Sequence, residues 1–311
     1  MRTKVDGEIR AKASWTAQSV AANRAADTSQ PPHRRLISDP YARHFVSDPL
    51  LRACIAHPLA SRTFIGFTRR AFAGLHAYLV LRARYTDDAW IAAIEDGVDQ
   101  LVVLGAGFDT ISLRTTAHMP VTIFEVDAPA TQEKKRIVFD QLRHSGSDKI
   151  IWVPCDFERD TLQQRLLANG FDPNRRCLVV WAGVTAYLTR EAIEATVADL
   201  AALCSPGSQL VFDYIDADVV TGGLSRTAGA RRAAWLAARR GEPFRTGFTS
   251  ADIDNLLAAN GFECSAHVSL IDLLQNYAPT QLRRLSGCDW QTIASAKRNA
   301  AAQRGRELPR S

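Results

Sequence analysis

The sequence predicts an α/β protein built on a mostly parallel, doubly wound sheet, and three observations carry that prediction. Short apolar runs recur at residues 101–104, 121–126, 150–153, 177–181 and 209–215, and helical patterns separate them. Alternation of this kind requires crossover connections and a parallel sheet. The first run passes directly into glycine, reading Q-L-V-V-L-G-A-G-F-D over residues 100–109. A continuous apolar run closed by glycines marks a strand buried on both faces. About a hundred helix-patterned residues precede that strand, and an Ala/Arg-rich helical segment interrupts the alternation after the fifth.

Taken in order, residues 1–13 are polar, and 14–26 (S-W-T-A-Q-S-V-A-A-N-R-A-A) favour helix until Ser29-Gln30-Pro31-Pro32 breaks them. Pro40 sits at a first helical turn with Asp39 as its cap, and Ser47-Asp48-Pro49 opens a second helix toward Ile55. Residues 61–94 place Phe64, Phe67, Ala71, Leu75, Tyr78 and Leu79 at helical spacing. Residues 1–95 therefore read as a helical cap, and 96–311 as the sheet domain. Within that domain, helices are expected over 109–117, 130–144, 161–169 and 189–204. Thr189 caps the last of these, and Pro206-Gly207 stops it. Residues from about 216 to 247 form the insertion, with A-R-R-A-A-W-L-A-A-R-R at its centre. Thr249 and Asp252 make a capping box for a helix that runs to Asn260, closed by Gly261. A strand follows over 262–270, and the tail from Asp289 is polar and basic, frayed over its last dozen residues.

Composition excludes several classes. The 311 residues carry 46% hydrophobic and 23% charged side chains, which is ordinary for a globular protein. The net charge of +5 is spread over arginine doublets at 69–70, 175–176, 231–232, 239–240 and 283–284. No block of like charge marks a nucleic-acid arm, so nucleic acid is not an expected partner. A preference for anionic small ligands remains. The six cysteines (54, 155, 177, 204, 264, 288) form no C-x-x-C pair and no zinc spacing, so no metal site is expected. With no leader pattern and no apolar run of about 18 residues, a cytoplasmic location without membrane association is the expectation. Nothing in the sequence sets the oligomeric state.

Ligands of open α/β sheets bind beyond the carboxyl ends of the strands. Those ends carry Gly105-Ala106-Gly107, Asp127, Asp156-Phe157 and Gly183. The glycine turn admits a ligand close to backbone N–H groups. An acid after the second strand accepts from ribose hydroxyls, and an acid after the third accepts from the adenine amine. A dinucleotide fold asks for G-x-G-x-x-G, whereas Phe108-Asp109-Thr110 follows Gly107 and the third glycine is missing. Asp109 also repels a pyrophosphate. S-adenosyl-L-methionine, a cation without phosphate, suits this turn better than a nicotinamide dinucleotide.

The chain also resembles the leucine carboxyl methyltransferase family, and more closely its bacterial, actinomycete-type branch. The matching pieces are S-W-T-A-Q-S-V-A-A-N-R-A with D-P-Y-A, L-R-A-R-Y-T-D-D, V-V-L-G-A-G-F-D-T, F-E-V-D-A-P, V-P-C-D-F, V-V-W-A-G-V-T-A-Y-L-T and G-E-P-F-R, from 14 to about 247. The resemblance implies a class I methyltransferase (Rossmann-like) fold and S-adenosyl-L-methionine as cofactor. It implies Arg84 for the cofactor carboxylate, Gly105, Ala106 and Gly107 for the turn, Asp127 for the ribose, and Asp156 with Phe157 for the adenine, with Gly183 beside them. Where the family has Glu before that glycine, this chain has Ala182. Glu125, Asp109 or a backbone carbonyl would have to compensate, or the chain binds cofactor without catalysis.

The implied reaction is methyl transfer to a small molecule. A carboxylate acceptor is ionised at neutral pH and needs no general base, which agrees with the lack of an acid–base motif. A hydroxyl acceptor would need one, and none of the seven histidines stands in a recognisable motif. No catalytic residue is assigned. Tyr187 and Arg245 are the candidate substrate contacts, and the insertion is the expected specificity element.

Overall fold

The computed structural model describes residues 15–114, 120–142, 150–222, 228–285 and 290–300. The polar residues 1–13, the far ends of the helices expected over 109–117 and 130–144, Cys288 and nearly all of the last dozen residues lie outside that description.

The five expected strands form: β1 (Gln100–Leu104), β2 (Thr122–Asp127), β3 (Ile150–Pro154), β4 (Cys177–Trp181) and β5 (Gln209–Ile215). They run parallel in the order 3-2-1-4-5, with Val102 opposite both Phe124 and Val179. Alternation sorts their side chains onto two faces. Leu101, Val103, Ile123, Leu178 and Val180 point into one core, whereas Val102, Leu104, Phe124, Val179 and Trp181 point into the other.

The sheet continues with β6 (Phe262–Ser269) and β7 (Gln291–Arg298), and β7 lies antiparallel between β5 and β6. The polar tail expected from Asp289 is therefore in part an interior strand. Q-T-I-A-S-A-K-R has little β propensity of its own. Pairing on both sides, with Ala294 and Ala296 buried, holds it extended.

Helices before the sheet are α1 (Trp15–Thr28), α2 (Pro49–Ile55), α3 (Pro58–Ala71) and α4 (Leu75–Glu95). The helical stretch expected over 61–94 is thus two helices, parted at residues 72–74. Asp48 caps α2 as expected, accepting from the Leu51 N–H at 3.0 Å. After β1 comes the short α5 (Ile111–Arg114), and after β2 comes α6 (Pro129–Leu142). The crossovers continue with α7 (Leu162–Ala168) and α8 (Arg190–Leu203), the latter capped by Thr189. The insertion supplies α9 (Ala217–Thr221) and α10 (Ala228–Arg239). The Thr249–Asp252 capping box opens α11 (Ser250–Ala259). A second box, Ser269 with Asp272, opens α12 (Leu270–Tyr277), a helix the sequence reading passed over.

The cap is joined to the sheet by buried charge. Arg24 of α1 is 2% exposed; its Nε donates to Asp39 at 2.8 Å and its terminal nitrogen to the Phe108 carbonyl at 2.6 Å. Asp39 also accepts from Thr110 Oγ1 at 2.7 Å and pairs with Arg114 at 3.1 Å. Arg114 reaches back to Asp87 on α4 at 2.6 Å. Asp39 is not the N-cap expected of it: the short 3-10 turn runs Ala42–Phe45 behind Tyr41, and Asp39, accepting from the Ala42 N–H at 2.9 Å, links α1, the loop after β1 and α5. Burial alone would raise the Asp39 carboxyl, but Arg24 and Arg114 beside it hold it below the usual carboxylate range. Its share of stability is therefore present above about pH 4, the unfolded value, and is lost as pH falls through the lower folded value.

Removing one member of a buried ion pair strands its partner and costs about 3–5 kcal/mol. Arg24→Ala is expected to lower unfolding stability by that amount in urea titration. A loss under about 1 kcal/mol would show that the pair is dispensable.

Candidate functional site

The four strand ends named by the sequence stand in a row, because β3, β2, β1 and β4 are adjacent in that order. Asp156 and Phe157 follow β3, Asp127 ends β2, Gly105 to Gly107 follow β1, and Gly183 lies just beyond β4. Asp127 folds over the glycine turn: one carboxylate oxygen accepts from the Gly107 N–H, the other from the Ala128 N–H at 2.6 Å. Burial pushes its carboxyl up to about 6, against the two backbone donors and Lys135, which favour the charged form. Asp156 accepts from the Glu158 N–H at 3.1 Å, and Phe157 tilts over Trp181 with ring centres 6.3 Å apart.

The glycines make the tight turn expected of them. Gly105 (φ +59°) and Gly183 (φ +78°) occupy left-handed backbone, and their space is filled by the protein itself. A Cβ on Gly105 would collide with the Val184 side chain, and one on Gly183 would come within 2.9 Å of the Arg82 guanidinium. Ala106, between the glycines of the turn, is buried, and its carbonyl lies 3.4 Å from the Lys135 ammonium.

Of the two arginines in L-R-A-R, the structure brings Arg82 to this row and turns Arg84 away. Arg82 is 6% exposed and ion-pairs with Asp213 of β5. Asp213 also accepts from the Gly183 N–H at 2.5 Å. Arg84 is exposed, lies 5.2 Å from the Tyr277 ring centre and pairs loosely with Asp88 at 3.9 Å. Two residues along a helix is a rotation of about 200°, so one of the two must face outward. Sequence reasoning missed Asp213 as well. Its signal was a lone carboxylate inside the apolar run L-V-F-D-Y-I, since charges are seldom buried unless paired.

A carboxylate from the neighbouring strand, Asp213 of β5, thus stands beside Gly183. Of the two side chains expected to compensate, Glu125 is engaged elsewhere, and the Asp109 charge is felt at Arg82. Glu125 is buried against Lys135 at 2.5 Å and Ser112 at 2.7 Å. Asp109 is held far below the usual carboxylate range: burial opposes this, but Arg114, Arg24 and Lys135 outweigh it.

Beyond Gly183 opens a cavity of about 620 Å³ between the cap and the insertion. Gly183 to Tyr187, Arg82 and Asp213 line one side; Phe64, Phe67, Leu79, Leu236 and Trp290 are among the apolar residues around it. Tyr187 lines this cavity with its ring 5.5 Å from Phe244, and burial pushes its phenol up, so it stays a donor. Arg245 does not line it. Its side chain is 44% exposed and pairs with Glu158, while its N–H donates to the Ala186 carbonyl at 2.7 Å. His76, on α4, lines the cavity too, with Nδ1 2.8 Å from Asn23 Oδ1 and Nε2 3.4 Å from Asp27. Among the described residues one group has metal-ligand types, Asp254, Cys264 and His267, and none of the three lines the cavity.

A 3-2-1-4-5-7-6 sheet with an acid at the tip of β2 and a glycine turn after β1 is the arrangement expected of the class I methyltransferase fold. The model of the family described as "Leucine carboxyl methyltransferase" matches residues 17–201, and the chain belongs to that family. A Mycolicibacterium smegmatis protein bearing the name of an S-adenosyl-L-methionine-dependent methyltransferase is 31% identical over 310 residues, covering 99% of this chain and 94% of its own. YktD of Bacillus subtilis, similarly named, is 32% identical over 194 residues, 62% of this chain and 63% of its own length. In fold, the chain is similar to a DUF574-family protein of Streptomyces avermitilis (TM-score 0.56, 17% identity, 78% of this chain and 92% of that one). It is equally similar to a Thermobifida fusca protein solved as a methyltransferase (TM-score 0.56, 15% identity, 83% and 94%).

An Asp127 that accepts from ribose hydroxyls, as the sequence led one to expect, would have to be ionised, so protonation would compete with cofactor binding. With the carboxyl at about 6, affinity is expected to be flat above pH 7 and to fall about tenfold per unit well below pH 6. Calorimetric titration with S-adenosylhomocysteine from pH 5 to 8 checks this.

Proposed function

We propose that the chain methylates a carboxylate on a small apolar molecule, with Asp156 and Phe157 at the adenine, Asp127 at the ribose, the 105–107 turn beneath, and Arg82 at the cofactor carboxylate. The observation that carries this reading is the order of those groups along adjacent strand ends, which repeats the order adenine, ribose, amino acid along S-adenosyl-L-methionine. Bound there, the cofactor supplies a methyl activated on sulfonium, which passes to an acceptor oxygen and leaves a neutral thioether. The protein's share is orientation and exclusion of water. The apolar cavity beyond Gly183 holds the body of the acceptor, and the Tyr187 hydroxyl is a neutral donor for its head group.

A carboxylate is favoured over a hydroxyl because the cavity offers no free base among the described residues. Asp213 is committed to Arg82 and Gly183, and His76 has both ring nitrogens facing Asn23 and Asp27. A carboxylate arrives ionised and needs no proton removed.

Two measurements test the reading. Arg82→Lys is expected to weaken S-adenosylhomocysteine binding at least about tenfold, since a lysine cannot offer the bidentate fork, whereas Arg84→Ala leaves it unchanged. The opposite ranking would return the role to Arg84. Turnover is expected with aryl or medium-chain carboxylic acids and not with their matched alcohols. Turnover of the alcohols alone would overturn the carboxylate assignment.

A further inference from the structure

The mouth of the cavity combines two properties that seldom occur together on a soluble face. Three large apolar side chains line the cavity and are also exposed: Leu50 (66%), Phe67 (64%) and Trp235 (57%). They come from α2, α3 and α10, so the apolar rim spans three separate helices. Isolated exposed apolar residues need no explanation, but a cluster at a cavity mouth marks a contact site.

The helices that carry that rim are basic, with Asp48 at the cap of α2 and Glu242, which is bonded to Thr16, as acidic neighbours. Helices α2, α3 and α10 contain no Asp or Glu. Arg232 and Arg240 line the mouth, the Arg239 guanidinium sits 4.5 Å from the Trp235 ring centre, and Arg70 borders a shallow hollow with Phe67. Within α10 the pattern is sorted. Gly229, Ala230, Ala233 and Ala237 are buried, whereas Arg231, Trp235 and Arg239, four residues apart, form the exposed stripe. Arg232 anchors the helix to α3 by donating to the Ala71 carbonyl at 2.7 Å. The buried stripe holds α10 against the protein, and Arg231, Trp235 and Arg239 face outward.

We infer that this face docks on the surface of an anionic lipid bilayer, with Leu50, Phe67 and Trp235 entering the interface and the arginines meeting lipid phosphates. Such contact needs an amphipathic surface and basic charge, not a spanning segment. No helix among the described residues is long and apolar enough to cross a membrane, and none is required. The expectation of no membrane association rested on the absence of a spanning run, which does not bear on a surface contact. The arrangement opens the apolar cavity directly onto the hydrocarbon boundary, where a lipophilic acid would partition. It requires neither cofactor nor acceptor, so this inference and the methyl-transfer reading stand or fall separately.

Sedimentation of the full chain with vesicles tests it. Vesicles of phosphatidylcholine containing phosphatidylglycerol are expected to pellet the protein, pure phosphatidylcholine vesicles far less, and half-molar salt is expected to release it. The charge reversal Arg231→Glu with Arg239→Glu is expected to weaken binding at least about tenfold, at about 1 kcal/mol per basic residue. Arg175→Gln, before β4 and away from the rim, leaves it unchanged. Lipids brominated along the acyl chain are expected to quench wild-type fluorescence more than that of Trp235→Phe. Failure of the wild type to pellet with anionic vesicles, or equal loss at Arg175, overturns the proposal. So does binding that needs an acidic protein instead of lipid.

Discussion

The architecture depends on burying three carboxylates and two guanidiniums at the junction between the cap and the first strand. Asp39, Asp87 and Asp109 surround Arg114, and Arg24 reaches across to Asp39 and the Phe108 carbonyl. A lone charge there would be prohibitively costly, and only the full set is tolerable. That requirement fixes α1, α4 and α5 relative to the glycine turn. Because the cavity lies between those helices and the insertion, its shape follows from the same constraint.

A second buried pair works at the other edge of the row. Arg82 and Asp213 bring a cap helix and β5 to Gly183, whose left-handed backbone leaves room for the guanidinium. A change from Glu to Ala at position 182 looks disabling when the strand is read alone. The neighbouring strand, however, presents Asp213 to the Gly183 N–H. The site is thus a property of adjacent strands, and no single motif contains it.

The cavity joins the two halves of the functional reading. One side of it is polar, with Arg82, Asp213 and Tyr187, while its mouth is apolar and ringed by arginine. Thr16 at the start of α1 donates from its N–H to Glu242 at 3.1 Å, tying the cap to the segment after α10 across the cavity. Cap and insertion therefore act together as the walls of one chamber. The insertion, the expected specificity element, shares the lining of this chamber with α1 and α3.

Much of the framework was legible in order. The runs at 177–181 and 209–215 coincide with β4 and β5, and the Thr189 and Thr249 caps sit where their spacing placed them. Buried strands and capping boxes are local patterns, so local reading finds them. α12 was equally legible from its S-x-x-D box, and the signal was passed over. β7 was not legible: its small and polar residues become a strand only when β5 and β6 flank it. The sequence by itself determined the alternating framework and the order of strand ends, because periodicity and turn chemistry act between near neighbours. Tertiary structure alone decided which arginine of L-R-A-R lies beside Gly183, that Asp213 stands next to that glycine, and that Leu50, Phe67 and Trp235 line one cavity. Those outcomes depend on helix rotation and on packing between segments far apart in the chain.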